Sequence, residues 1–392
     1  MRTRIALTIL ALAALARTAE LPSDWSYGQA LEVADPRSVA MGGATSVIGS
    51  PFGFLANPAL GVVGFDRVAG PALPDDKLRS AVGLACRLGL VSEQRTRTVY
   101  DNFNNAVGEL AIADNFNADA LPGPIAVCLP GKVVQLGVGL APRYDYNYVF
   151  RQEFRDGFYQ LTGRNDLQLS GQVMRTTVAL AYDLFDVVGL GASMVYDFGE
   201  RALRQRDSTT GDTWLTLASG RPSGLGWSAG LLLHPGRSFR MGVGFEPATR
   251  YTLWTGEESS SDPLRVKLGA AYFAAGRIPA ELAGQVSYVD WHGVDSTLLA
   301  VLSIRAGVEH RLLNNVALRY GFGLLPSPRD ATVQSGLASV GLGFDTGFAH
   351  FDLGASLQRR VFGSAFLSPT PEIDMRIYQT SGEVVLAISK AF

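Results

Sequence analysis

Val316-Ala317-Leu318-Arg319-Tyr320-Gly321-Phe322-Gly323-Leu324 sets a large apolar side chain against a small or charged one at every step. A period of two is that of a β-strand whose two faces differ. In a soluble sandwich the apolar face is the core and the other face meets water. Here the second face is Ala, Arg, Gly and Gly, which suits a crowded polar lumen better than a solvated surface. The stretch therefore reads as a wall strand of a membrane barrel, with lipid against Val316, Leu318, Tyr320, Phe322 and Leu324.

The same pattern spreads in both directions. Phe239, Met241, Val243 and Phe245 alternate with Arg240, Gly242, Gly244 and Glu246. Leu302, Ile304 and Val308 alternate with Ser303, Arg305, Gly307 and Glu309, and Val384, Leu386 and Ile388 close the series. Connections alternate between short and long. Short ones are Pro130-Gly131-Lys132, Leu184-Phe185-Asp186, His234-Pro235-Gly236-Arg237, Leu313-Asn314-Asn315 and Asp345-Thr346-Gly347, built from residues that tight turns require. Long polar ones run near Val91–Pro122, Tyr144–Asp166, Glu200–Pro222, Thr255–Asp262, Leu325–Thr332 and Arg360–Gly382.

Segments starting near 78, 123, 132, 167, 187, 223, 237, 263, 279, 300, 316, 334, 348 and 380 give about fourteen antiparallel strands, an even number in the range of bacterial barrels. With the first strand rising from the periplasm, every long loop falls outside and both ends of the barrel fall in the periplasm. The expected fold is an all-β transmembrane antiparallel barrel over residues 78–392. Lipid offers no hydrogen bonds, so such a sheet has to close on itself.

The ends of the chain agree. Arg2 and Arg4 precede an apolar run from Ile5 to Ala16 that ends in Ala14-Leu15-Ala16. A charged start, a short apolar core and an A-x-A site describe a secretory signal peptide, residues 1–16, with a cut as late as 19 as the alternative. Phe392 ends an alternating last strand and resembles the terminal aromatic read by the barrel-assembly machinery, although Lys390 interrupts the apolar phase. Together these place the chain in the bacterial outer membrane, with the lipid bilayer as its solvent. A net charge of -2 and the lack of a basic stripe argue against a nucleic-acid partner. Cys86 is in phase with Leu84 and Leu88 whereas Cys128 is out of phase with Val127 and Leu129, so the thiols point to opposite faces rather than pairing.

Residues 20–77 differ from the rest, being Gly- and Pro-punctuated without long alternation. Arg37-Ser38-Val39-Ala40-Met41-Gly42-Gly43-Ala44 is followed by Asn57-Pro58-Ala59-Leu60-Gly61. This resembles the N-terminal region of the FadL-type (OMPP1/TodX) outer-membrane transporters and their PorV-like relatives, which carry an R-x-x-x-x-G-G-A run and then N-P-A. Residues 34–44 read closer to the PorV-like form. The resemblance implies a fourteen-stranded barrel with residues 20–77 folded inside as a hatch or plug, marked by Gly42, Gly43, Asn57, Pro58 and Ala59. It implies transport of hydrophobic small molecules such as long-chain fatty acids, entering between outer loops and leaving sideways through a gap in the wall. The alternative is a PorV-like barrel that transports nothing and serves as a scaffold for secretion or surface-protein assembly. Read from the residues alone, Asn57-Pro58 is a structural turn: Pro58 biases Asn57 to an extended conformation, and the Asn side chain bonds nearby backbone.

No catalytic site, metal site or cofactor is expected. Gly226-Trp227-Ser228-Ala229-Gly230 matches G-x-S-x-G, but a nucleophile elbow needs a strand, a strained turn and a helix, and Ser228 is mid-strand. Gly137-Val138-Gly139 and Gly189-Leu190-Gly191 open no helix, and the four His lack metal-ligand spacing. Inward Arg79, Arg175, Arg240, Arg265, Arg305 and Arg319 would meet Asp183, Asp197, Glu246 and Glu309 as paired charges bracing the lumen. A carboxylate dock is the sharper reading, with Arg305 and Arg319 as contacts. Tyr144, Tyr146, Tyr148, Phe150, Phe154, Phe158 and Tyr159 crowd one expected outer loop, and Phe150, Phe154 and Phe158 are the candidate contacts for a hydrophobic ligand.

Overall fold

A computed structural model describes residues 29–31, 35–63, 80–131, 133–155, 158, 160–208, 211–236, 238–252, 259–313, 315–363 and 375–392. The expected signal peptide, Arg79, Tyr159 and residues 64–77 of the N-terminal segment lie outside them.

Fourteen antiparallel strands form a closed barrel. They are β1 (Ala81–Tyr100), β2 (Ala106–Leu129), β3 (Val134–Asp145), β4 (Leu161–Leu184), β5 (Val188–Asp207), β6 (Ser223–Gly236) and β7 (Phe239–Glu246). The ring continues with β8 (Leu264–Ala274), β9 (Ala280–Asp290), β10 (Ala300–Leu313), β11 (Val316–Pro326), β12 (Gln334–Asp345), β13 (His350–Gly363) and β14 (Met375–Ala391). Each strand pairs with the next, and β14 pairs with β1 from Met375↔Arg97 to Ala391↔Ala81, which shuts the ring. The sheet thus closes on itself, as a barrel in lipid has to.

Alternation sets the faces as expected. On β11, Tyr320, Phe322 and Leu324 are exposed outward while Ala317 and Arg319 are buried inward. Outward apolar side chains recur around the wall, among them Leu84, Leu190, Met241, Leu342 and Leu386. This apolar belt and the closed ring are those of a bacterial outer-membrane protein. Cys86 is exposed, Cys128 is half-buried with its thiol 3.4 Å from the Pro51 carbonyl, and the two form no disulfide.

The short turns at Leu184–Val187 and Asp345–Ala349 appear where the sequence places them. Phe185 and Asp186 both take positive φ, and Val187 N donates to Leu184 O, as in a type I′ hairpin. The long connections differ from expectation. Much of Val91–Pro122 is a tall hairpin of β1 and β2, closed at Asp101, whose carboxylate accepts from the Phe103 and Asn105 amides at 2.8 Å. Likewise Tyr148–Arg155 pairs with Leu161–Leu169, Arg201–Asp207 with Gly211–Gly220, Thr249–Thr252 with Ser259–Asp262, and Arg360–Gly363 with Arg376–Gln379. Beyond the lipid a strand no longer needs an apolar outer face, so backbone pairing outlasts the sequence alternation.

The expected aromatic loop is corrected on the same ground. Tyr144, Tyr146, Tyr148 and Phe150 lie on or between strands and are buried with Val91, Leu167, Leu169 and Val173. Phe158 is 85% exposed. The side chain of Phe154 lies outside the described residues.

Candidate functional site

Inside the wall, residues 35–63 meet every strand. Helix α1 (Pro36–Ala40), capped by Asp35 whose carboxylate accepts from Arg37 N at 3.2 Å, lies against β11 to β14. Burial, with Asp352 facing it, pushes the pKa of the Asp35 carboxyl above the ordinary aspartate value. Met41 and Gly42 pass β10 and β11, Thr45 and Ser46 pass β7 to β9, and Asn57 to Gly61 pass β4 to β6. Pro51, Phe52 and Phe54 meet β1 to β3.

The approach is close because the wall carries glycine there. A Cβ on Gly321 would lie 2.2 Å from Gly42 N, and one on Gly307 would lie 2.5 Å from Met41 Cα. Gly42 and Gly43 themselves turn the segment at φ +74° and +84°, conformations in which a side chain would be strained. The glycine-rich inner face is thus a seat for the N-terminal segment, a role that the alternation alone did not disclose.

Asn57 is fully buried; its amide donates to Ser46 O at 2.9 Å and its carbonyl oxygen accepts from Ala59 N at 3.1 Å. That is the local turn expected of Asn-Pro-Ala. Pro58 and Ala59 open a short 3-10 turn, Pro58–Val63, packed on Ala181 and Leu232.

Two ionic clusters lie inside the wall, the first built on this segment. In the first, Arg37 donates to Glu281 Oε2 at 2.7 Å and to Glu309 Oε2 at 2.8 Å; Arg319 donates to Glu309 Oε2 at 2.6 Å and also to Asp352. In the second, Arg175 binds Asp197 through two bonds of 2.7 Å, Arg143 reaches Asp262 at 2.6 Å and Glu246 at 2.8 Å, and Arg265 reaches Asp262 at 2.9 Å. Tyr144 donates to Asp262 and accepts from Arg265 at 2.8 Å. Arg305 donates to Gly43 O at 3.1 Å and Arg240 to Val47 O at 3.0 Å, while Asp183 faces His234 at 3.4 Å. The paired-charge expectation thus describes Arg175, Arg265 and Arg319. Arg319 and Arg305, offered as a carboxylate dock, are engaged by protein oxygens. Arg37, Arg143 and Asp262 were missed because they lie in the N-terminal segment or where the alternation breaks.

That break is the main departure from a regular barrel. β2 and β3 pair only from Leu129↔Leu136 to Ile125↔Leu140. Above this, β3 turns into the lumen, and Ala141 to Tyr146 are buried on both faces. Gln29–Ala30 pairs with it there, and Tyr144 reaches across to Asp262 beside β8. Contact with β2 resumes through side chains, with Asn117 donating to Val149 O at 3.1 Å and Asn115 accepting from Arg151 N at 2.7 Å. The sequence carries the cause: Pro122-Gly123-Pro124 on β2 faces the height of Pro142 on β3, and proline has no N–H to give a ladder. From this interruption, beside Leu121 and Asn147, a groove runs over the outward side chains of Met174 and Phe198 to Pro222.

Ser228 is mid-strand in β6, with its Oγ 2.6 Å from Ser193 Oγ of β5. Among the described residues no group of three or more His, Cys, Asp or Glu is placed to hold a metal ion.

No protein-family model matches the chain, and no curated protein does. Solved structures do. A FadL homologue of Pseudomonas aeruginosa aligns over 93% of this chain and 100% of its own at 13% identity, with a TM-score of 0.66. The toluene transporter TodX of P. putida aligns over 92% of this chain and 99% of its own at 14% identity, TM-score 0.64. The toluene transporter TbuX of Ralstonia pickettii aligns over 92% and 99% at 14% identity, TM-score 0.57. With the closed fourteen-stranded ring, these likenesses give the chain the fold of the FadL-type outer-membrane barrels, the superfamily that its N-terminal motifs resemble.

Proposed function

We propose that this chain passes hydrophobic small molecules, long-chain fatty acids among them, across the outer membrane, with residues 20–77 as its hatch. The observation that carries the reading is the interrupted ladder between β2 and β3. A wall that opens sideways beside a filled lumen suits a molecule that gains little from water and much from an apolar surface. Residues 35–63 fill the lumen at the level of the short turns, which works against a water-filled path straight through. Phe392, whose amide donates to Ser80 O at 2.8 Å, closes the seam between last and first strands and is our candidate signal for the assembly machinery.

The test is binding and release. Purified protein should bind a fluorescent long-chain fatty acid saturably and lose it to competing toluene or oleate. Leu121→Arg, at the wall interruption, should leave binding in place and slow delivery of the probe into a surrounding bilayer by about tenfold. Absence of saturable binding with either competitor class would favour the scaffold reading, a PorV-like barrel presenting its outer hairpins to a protein.

A further inference from the structure

Of four neighbouring strands, β3 and β6 are interrupted at one height, and the continuous β4 and β5 between them each carry a glycine there. β3 ends at Asp145, and after Tyr146–Asn147 its line continues as Tyr148–Arg155. On β4, Gly171 takes φ +124°, and its carbonyl accepts from Tyr146 N at 3.0 Å. On β5, Gly199 packs so tightly on β4 that a Cβ would lie 2.0 Å from Gln172 O. β6 is preceded by Gly211–Gly220 and separated from it by Arg221–Pro222. The register puts these points in a row: Gly171 pairs with Arg201, Arg201 with Gly220, and Phe198 with Ser223. A wide ladder resists folding across its strands, but here only the two-stranded β4–β5 ribbon is continuous through the row. That ribbon carries Gly171 at positive φ and Gly199, while the strands on either side stop, one of them at a proline.

Above the row stands a small sheet of Tyr148–Arg155, Leu161–Leu169, Arg201–Asp207 and Gly211–Gly220. Its inner face presents Tyr148, Phe150, Leu167 and Leu169, buried against Val91 of β1. Trp291, in the connection after β9 far around the ring, packs on the same cluster. The sheet therefore leans across the outer mouth. Arg95 of β1 holds it there: its guanidinium lies 3.8 Å from the Phe150 ring centroid, and it donates to Tyr148 OH at 2.9 Å and to Glu93 at 2.7 Å. Toward β2 the sheet has side-chain hydrogen bonds in place of a ladder.

We propose that this four-stranded sheet is a lid, hinged on the row through Asn147, Gly171, Gly199 and Pro222 and latched shut by Arg95 on Tyr148 and Phe150. Opening breaks side-chain contacts only, since the strands within the lid stay paired to one another. It uncovers an aromatic underside directly over the lumen. The lid goes beyond the transport reading and does not depend on it.

The test measures the hinge without a ligand. Spin labels at Leu215→Cys on the lid and Ser296→Cys beyond β9 are placed in a Cys86→Ser, Cys128→Ser background. Pulsed EPR should then give a closed distance with a minor, longer population. Phe150→Ser should enlarge the longer population severalfold while the folded barrel keeps its heat-modifiable migration. Arg95→Gln, which removes only the latch, should do the same to a smaller extent and covers the case in which Phe150→Ser does not fold. One unchanged distance in the parent and in each folded variant would overturn the lid. A lid that opens in the variants while no fatty acid or toluene binds would uphold the hinge and count against transport.

Discussion

The two halves of the lumen are filled on opposite principles. At the end with the short turns the wall is glycine, and the backbone of residues 35–63 lies directly on it, pinned by Arg37 between Glu281 and Glu309. At the other end the wall carries large aromatics, and the sheet itself bends in until Tyr144, Tyr146, Tyr148 and Phe150 pack together. Backbone on glycine has no rotamers to exchange and no slack. Aromatic side chains on strands that end in hairpins can part and pack again. The first half is built to stay and the second to move, and substitutions in the two halves should have different consequences.

The largest effect should come from Arg37→Ala, which leaves Glu281 and Glu309 buried beside a missing cation and costs about 3–5 kcal/mol. Denaturant titration in detergent should register it as loss of the whole barrel; a loss confined to the outer hairpins would contradict the division. Phe322→Arg, on the lipid face shared by both halves, should cost ~2–4 kcal/mol if it lies near the bilayer midplane. A wild-type midpoint for that variant in lipid would remove Phe322 from the membrane belt.

Next comes a matched pair of glycines. Gly321→Ala forces a methyl against Gly42 and should cost about 1–3 kcal/mol, whereas Gly336→Ala, with open space around it, should be near neutral. Equal midpoints for the two would show that the N-terminal segment is not seated as described. The smallest expected effect is Tyr148→Phe, which removes the hydroxyl shared by Arg95 and Glu93 and costs ~1–2 kcal/mol. It should speed hydrogen exchange in Tyr148–Arg155 and leave β10 to β12 protected; uniform exchange across both would blur the contrast.

Much of the wall was legible because lipid imposes a strict period of two on every residue it touches. Strand starts near 187, 223, 237, 263, 300, 316 and 334 fall within a few residues of those observed. Where lipid stops, that constraint stops, and so β2 begins at Ala106 rather than near 123. The glycines were visible, but the partner lying on them was not, because a backbone contact leaves no mark on the residue type of the segment that makes it. Asn57 was legible as a turn because its bonds are local. Arg37 was invisible as an ion-pair partner because Glu281 and Glu309 lie 244 and 272 positions away. The wall interruption was written in Pro122, at the end of an expected loop, and in Pro124 and Pro142, which fall within expected strands where proline supplies no donor.

Those long separations have a consequence for how the molecule comes into being. The segment made before the barrel strands finds its partners among the later ones, and β14, which closes the ring, both covers α1 and seals the seam with β1. Contacts so distant along the chain are slow to form, because the loop between them must be ordered before they repay it. The early segment therefore waits with an uncompensated arginine and apolar side chains while the rest of the chain is made. Once the ring closes around it, it is encircled rather than docked, and it can leave only by sliding out along the barrel axis or by parting the seam.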